Sequence, residues 1–175
     1  MRLRLDDLRL HLLHTGLHFL LERHRRRTAE SGVPPLYACI ERTVRFEEVD
    51  SLHYMWHGRY ASWLEDGREA LGGLHRLSYL DFFQQGVAVP IKLFHLDFHQ
   101  PLRYAQTYSI HVSLMWNEAA VLDFEYVLKD RDGIVTTTGY TAQLMLSLDG
   151  GLLLEQPAFY KEFCARWRQE RPCTS

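Results

Sequence analysis

The chain has 175 residues, 46% of them hydrophobic and 13% aromatic, enough to bury one sizeable core and too few for a two-domain reading. Its formal charge of −2 gives no global attraction for nucleic acid or for an anionic membrane surface, so neither is expected as its partner. Cys39, Cys164 and Cys173 form no C-x-x-C pair, which argues against a disulfide framework or a cysteine zinc site and fits a cytoplasmic location.

Residues 1–35 read as an amphipathic helix and linker, with Leu10, Leu13, Leu17, Leu20 and Leu21 on one face and Gly32 and the Pro34-Pro35 pair ending it. A secretory signal fits poorly, because His14 and His18 interrupt the apolar centre and no small-residue cleavage site follows. Packing on the main domain or a partner subunit is favoured over a membrane surface, since Asp6 and Asp7 interrupt the basic face. No apolar run reaches the roughly 18 residues that a spanning helix needs.

A main domain is expected over residues 36–171, followed by a short tail, 172–175. Tyr37 to Phe46 alternates as a strand, with Ile40, Val44 and Phe46 to one side. After a loop carrying Asp50, Tyr60, Trp63, Leu64, Gly67, Leu71 and Leu74 repeat at helical spacing, while Glu65, Asp66, Arg68 and Glu69 fall elsewhere. The spacing predicts a helix from about Gly58 to Leu74. Ser78 to Asp81 can cap a short helical turn that leads into a strand over about Val87 to Phe98.

Gln106 to Trp116, Ala120 to Lys129 and Ile134 to Leu148 read as further strands in a meander, the last two joined by a turn at Asp130-Arg131-Asp132-Gly133. A final helix, Pro157 to Gln169, places Phe159, Phe163 and Trp167 on one stripe, to pack on an edge or a second subunit. A sheet with one apolar face must cover it, and the long internal helix is the element able to lie across it. The predicted class is α+β, an antiparallel sheet wrapped around that helix.

Asp50 and His57 set a carboxylate and an imidazole beside a helix start, where unpaired N–H groups and roughly half a positive charge can polarise a carbonyl. An ordinary alternative is that Asp50 caps a turn and His57 caps the helix.

The run Val44-Arg45-Phe46-Glu47-Glu48-Val49-Asp50, with His57, Tyr60, Trp63, Leu64 and Arg68, resembles the 4-hydroxybenzoyl-CoA thioesterase-like branch of hotdog-fold acyl-CoA thioesterases. Within it, the chain looks most like the Tol-Pal-associated short-chain enzymes. The resemblance implies a hotdog fold and hydrolysis of an acyl-CoA or acyl-carrier-protein thioester without metal or redox cofactor. It also implies a homodimer or homotetramer with the acyl pocket between subunits. Asp50 would act as nucleophile or general base, two roles the sequence leaves open, with His57 in support.

Oxyanion stabilisation and substrate positioning then fall to backbone around Gly58, Arg59 and Tyr60, and to Ala88 and Val89 ahead of Pro90. Trp56, Trp63, Phe82 and Phe83 are candidates for the acyl pocket, or for the core. His53 stands where the family often has glycine, which leaves a changed loop path or a narrower pocket open. Arg59 replaces the usual asparagine and can meet substrate or solvent. A non-hydrolytic module binding acyl chains or a carrier protein is the alternative in another class, and a dehydratase-type hotdog is a third.

Two histidine groups offer rival sites. His95, Asp97 and His99 share a strand face, and His11, His14 and His18 share a helix face. Either could be read as a metal site, but ligands so close along one element seldom close a tetrahedron, and surface or subunit contacts are the commoner use.

Overall fold

A computed structural model describes residues 31–169. The expected N-terminal helix, with His11, His14 and His18, and the tail at 172–175 lie outside the described residues. In chain order come β1 (Leu36–Thr43), α1 (Tyr60–His75), α2 (Tyr79–Gln84), β2 (Val87–Ala88), β3 (Ile91–Phe98), β4 (Thr107–Met115), β5 (Val121–Lys129), β6 (Val135–Leu144), β7 (Leu146–Ser147) and α3 (Ala158–Gln169).

The main sheet is five-stranded, in the order β1-β4-β5-β6-β3, and every pairing is antiparallel. The expected meander holds for β4, β5 and β6. β3 precedes them in the chain yet lies beside β6 at the far edge, and β1 closes the other edge beside β4. Alternation sets the layers: Tyr108, Ile110, Val112 and Leu114 of β4 are buried, as are Leu122, Phe124, Tyr126 and Leu128 of β5. Side chains such as Ile110 and Leu128, fully removed from water, each stabilise the fold by roughly 1.5–3 kcal/mol.

Helix α1 lies across β1 and β4. Gly67 permits the close approach, because a Cβ there would stand 3.2 Å from Ile110 Cγ2. The buried face runs through Tyr60, Trp63, Leu64, Gly67, Arg68, Leu71 and Gly72. It therefore takes in Arg68, which the pattern had set outside, and leaves Leu74 at 68% exposure. The helix ends at Arg76 in the left-handed region, and the returning chain at Ser78 packs against Gly72, so the face closes there rather than at Leu74.

Three other expectations are corrected. The strand predicted over 87–98 is divided at Pro90, which has no N–H to donate: Val87 and Ala88 pair with β7, while β3 pairs with β6. The last long strand divides at Met145, whose N–H and carbonyl turn instead to Ala120 and Leu153, giving β6 and β7. Phe46 does not face inward; β1 stops at Thr43, a 3-10 turn covers Phe46–Glu48, and the Phe46 ring is 74% exposed.

Ser78 caps α2 as expected, its Oγ accepting the Asp81 N–H while an Asp81 oxygen accepts the Ser78 N–H. α3 packs on α2 through Phe82, Phe159 and Tyr160. It reaches the segment before β1 through a bond from Trp167 Nε1 to the Pro34 carbonyl at 2.8 Å.

Candidate active site

Between β1 and α1 the chain makes a closed loop whose two ends are bridged at Val49 and Met55. The Asp50 N–H donates to Tyr54 O at 2.9 Å, Met55 N–H to Leu102 O at 2.8 Å, and Trp56 N–H to Glu48 O at 2.8 Å. Asp50 thus sits just inside the loop and His57 just past its other end.

The Asp50 side chain does two things. Its Oδ1 accepts the N–H of Leu52 at 2.8 Å and, more weakly, that of Tyr54 at 3.3 Å, an Asx turn of the kind that short carboxylates form. Its Oδ2 meets no donor among the described residues, and the side chain is exposed. The turn and the chemistry are therefore compatible, since one oxygen builds the loop and the other is left without a partner on an exposed residue. His53, in the same turn, has φ of 61°. The left-handed conformation that a glycine would favour is kept, at a cost that the His53 N–H bond to Asp50 O and the Tyr104 N–H bond to His53 O offset.

His57 is exposed, its ring 5.0 Å from that of Trp56. No hydrogen bond joins Asp50 and His57 among the described residues. His57, Gly58 and Arg59 form a 3-10 turn ahead of α1, in which Arg59 N–H donates to Trp56 O and Tyr60 N–H to His57 O. Those two N–H groups are spent on the turn. The N–H groups of His57 and Gly58 meet no acceptor among the described residues, so they are the helix-start donors available to an oxyanion. Gly58 lets the Trp56 ring lie against the turn, since a Cβ there would meet the ring at 2.2 Å and push it aside.

Tyr60 and Trp63, named from the sequence for positioning and pocket, are core residues at 2% and 0% exposure. Tyr60 packs edge-on against Phe98 at 4.8 Å. Burial raises the pKa of its hydroxyl, with the Leu102 backbone pulling the other way. Phe82 is likewise buried at 1%, whereas Trp56 and Phe83 stand at 50% and 61% exposure. Ala88 pairs with Leu146, and the buried Val89 offers its carbonyl to Gln143 Nε2 at 2.7 Å. Arg59 is exposed.

Glu48 was not singled out by sequence reasoning, and it organises the site. It is 3% exposed. Its Oε1 accepts from Trp63 Nε1 at 2.9 Å and from Arg42 Nη2 at 3.0 Å, and its Oε2 accepts from the Arg45 N–H at 2.9 Å. The one local signal was its place three residues after Arg45, the spacing at which a carboxylate reaches back to a cap N–H.

The rival strand site separates into two pairs. His95 Nε2 lies 3.1 Å from Asp97 Oδ2 with its ring stacked on Tyr140, and His99 Nε2 bonds Thr138 Oγ1 at 2.8 Å. Burial lowers the His99 pKa, the Asp97 charge opposing it. Among the described residues, no three His, Cys, Asp or Glu side chains are grouped as a metal site.

Residues 44–167 match the model of the thioesterase-like superfamily. The chain belongs to that superfamily. Over 97 residues it is 29% identical to YneP of Bacillus subtilis (strain 168), a protein assigned by name as an acyl-CoA thioesterase; the match covers 55% of this chain and 60% of YneP. The chain thus spans less than two thirds of that relative.

Its fold is shared with the DHNA-CoA thioesterase of Staphylococcus aureus, at TM-score 0.68 and 21% identity over 74% of this chain and 89% of that one. Slr0204 of Synechocystis, a 1,4-dihydroxy-2-naphthoyl-CoA thioesterase, gives TM-score 0.65 and 14% identity over 74% and 96%. SAV2348 of Staphylococcus aureus, solved in complex with CoA, gives 0.66 and 14% over 82% and 89%. The architecture is the hotdog fold that the sequence implied.

Proposed function

We propose that the protein hydrolyses an acyl-CoA thioester, with Asp50 as the reacting carboxylate. The observation that carries the reading is that the segment from Asp50 to Gly58 holds, without partners among the described residues, one Asp50 carboxylate oxygen and the N–H groups of His57 and Gly58, just ahead of a helix with one buried face. A thioester carbonyl placed there would have donors for its developing negative charge and a carboxylate beside it. Asp50 either attacks the carbonyl carbon, expelling the thiolate and leaving an anhydride that water opens, or takes a proton from water as that water attacks. Both routes give one acid and one thiol. His57, exposed at the turn ahead of the helix, supports by donating to the substrate or orienting water. Thiol release by wild type and by Asp50→Asn tests the reading.

The names of similar proteins favour CoA over a carrier protein as the thiol carrier. The Tol-Pal-associated branch, the cytoplasmic location and the division at residues 35 and 171 remain part of the proposal. No described helix is long and apolar enough to cross a membrane. The reading includes a homodimer formed at the free edge of β3, where Ile91, Leu93, Phe94 and Phe98 are 41–52% exposed. An apolar edge of this kind invites pairing with a second copy. A non-hydrolytic binding module retains one ground, the Arg59 substitution, because His53 keeps the glycine-like backbone.

A further inference from the structure

A cavity of about 170 Å³ lies between α1, α2 and the β5–β6 face, separate from the Asp50 loop. Phe82, Val89, Leu122 and Phe124 give it apolar walls, and Arg68 and Gln143 bring polar groups. Its size compares with that of an engineered cavity of about 150 Å³ that holds benzene, so it suits one small acyl body.

Arg68 is the unusual wall. The residue is 5% exposed, its Nη2 is bound to Glu65, and its Nε and Nη1 are buried without an acceptor. Tyr79 supports the guanidinium from one side, its ring 5.7 Å away. Gln143 does not answer these donors: its Nε2 donates to Tyr79 Oη and the Val89 carbonyl, and its Oε1 takes neither Nε nor Nη1 of Arg68. Buried N–H donors on a cation are expensive to leave unmet. Charge is already balanced: Glu65 pairs with Arg68, and Glu69 is a second carboxylate on the wall. What is missing is therefore an acceptor oxygen within reach of Nε and Nη1 rather than negative charge.

Arg68 lies eight residues beyond Tyr60, roughly 12 Å along the helix at 1.5 Å per residue, and helical side chains lean back toward the N-terminus. Val89, one of the positions the sequence offered for substrate positioning, forms part of the same wall. We propose that this cavity takes the body of the acyl group, and that Arg68 selects acyl groups carrying a neutral acceptor oxygen, a carbonyl or hydroxyl, over their hydrocarbon counterparts. The assignment rests on the thioester reading above.

The test compares hexanoyl-CoA with oxohexanoyl-CoA and hydroxyhexanoyl-CoA isomers, with adipyl-CoA as the charged control, in wild type, Arg68→Met and Arg68→Lys. Wild type is expected to favour the best oxygenated substrate by roughly tenfold or more in kcat/KM, a modest return for satisfying buried donors, and to disfavour adipyl-CoA. Arg68→Met should bring the ratio close to unity; Arg68→Lys, which keeps the charge but not Nε and Nη1, should also reduce it and serves if the Met variant does not fold. Calorimetric binding of the same compounds to Asp50→Asn gives a readout without turnover. If nothing is hydrolysed but binding shows the Arg68-dependent ratio, the hydrolytic reading fails and the selective cavity stands. Turnover with the same ratio in wild type and both variants overturns the cavity assignment alone. Absence of both turnover and binding overturns the two together.

Discussion

Glu48 Oε1 accepts a hydrogen bond from Trp63 Nε1 at 2.9 Å inside the core, which ties the turn before Asp50 to the helix after His57. The same oxygen takes Arg42 Nη2, and Arg42 stands 4.9 Å over the Trp63 ring. Glu48→Ala leaves the Trp63 indole N–H and the Arg45 N–H without their acceptor and leaves the Arg42 guanidinium to Asp66 alone. It should cost about 1–3 kcal/mol, the scale for leaving buried donors unmet while Asp66 still pairs with Arg42, and lower activity because the Asp50 loop loses its anchor. Glu48→Gln, which retains an acceptor oxygen, should lose less. Urea unfolding measures both, and an Ala variant as stable as wild type would contradict the role.

Gly139 of β6 lies against β3 so closely that a Cβ would stand 2.6 Å from the His95 carbonyl oxygen and 2.6 Å from Leu96 Cδ2. Backbone cannot swing aside as a side chain can. Gly139→Ala should lower stability by roughly 1–3 kcal/mol, as overpacking does. Thermal unfolding reads it, and an unchanged Tm would show that β3 shifts freely.

The β3 edge gives an assembly prediction. In a two-fold dimer each edge residue meets the same surface of its copy, so Phe94→Lys sets like charges near one another on a face that is now apolar. Light scattering should find a dimer for wild type and a monomer for the variant. A monomeric wild type would contradict the proposed interface.

His99 and His111 give a pH dependence. Burial is the main cause lowering both pKa values, with Lys129 also lowering that of His111. Tyr37 Oη lies 2.6 Å from His111 Nδ1 and Ser109 Oγ 3.0 Å from Nε2. In the unfolded chain these rings titrate near about 6.5. Between that value and the lower folded values the unfolded state binds more protons, so their contribution is complete above about pH 6.5 and is lost as pH falls through the folded pKa values. Urea midpoints should decline on acidification through this window, less steeply in His111→Gln, and NMR midpoints for both rings should lie below about 6.5. Midpoints above that would reverse the sign.

Much of the fold was legible because it is periodic. The alternation on β4 and β5, the Ser78–Asp81 cap and the turn ending at Gly133, whose φ is 79°, are local patterns that tertiary structure did not override. Arg68 was misplaced because a charge was weighed above position, although 60, 64 and 68 share a helical face. Leu74 was lost to a contact between Gly72 and Ser78 that no periodicity encodes. In the candidate site, Asp50 and His57 were readable as chemistry-bearing types beside a helix start. The roles of Glu48 and of the His57 and Gly58 N–H groups were not, because one depends on a bond to a residue fifteen positions away and the other on backbone, which leaves no residue signature.

The most direct measurement compares thiol release from short-chain and aromatic acyl-CoAs by wild type and Asp50→Asn at equal folded concentration. Asparagine keeps an oxygen to accept the Leu52 and Tyr54 N–H groups, so the loop should survive and the loss report on chemistry. Turnover falling by about a hundredfold or more, the lower range for removing a catalytic acid or base, is the predicted result; equal turnover by the two proteins would contradict it.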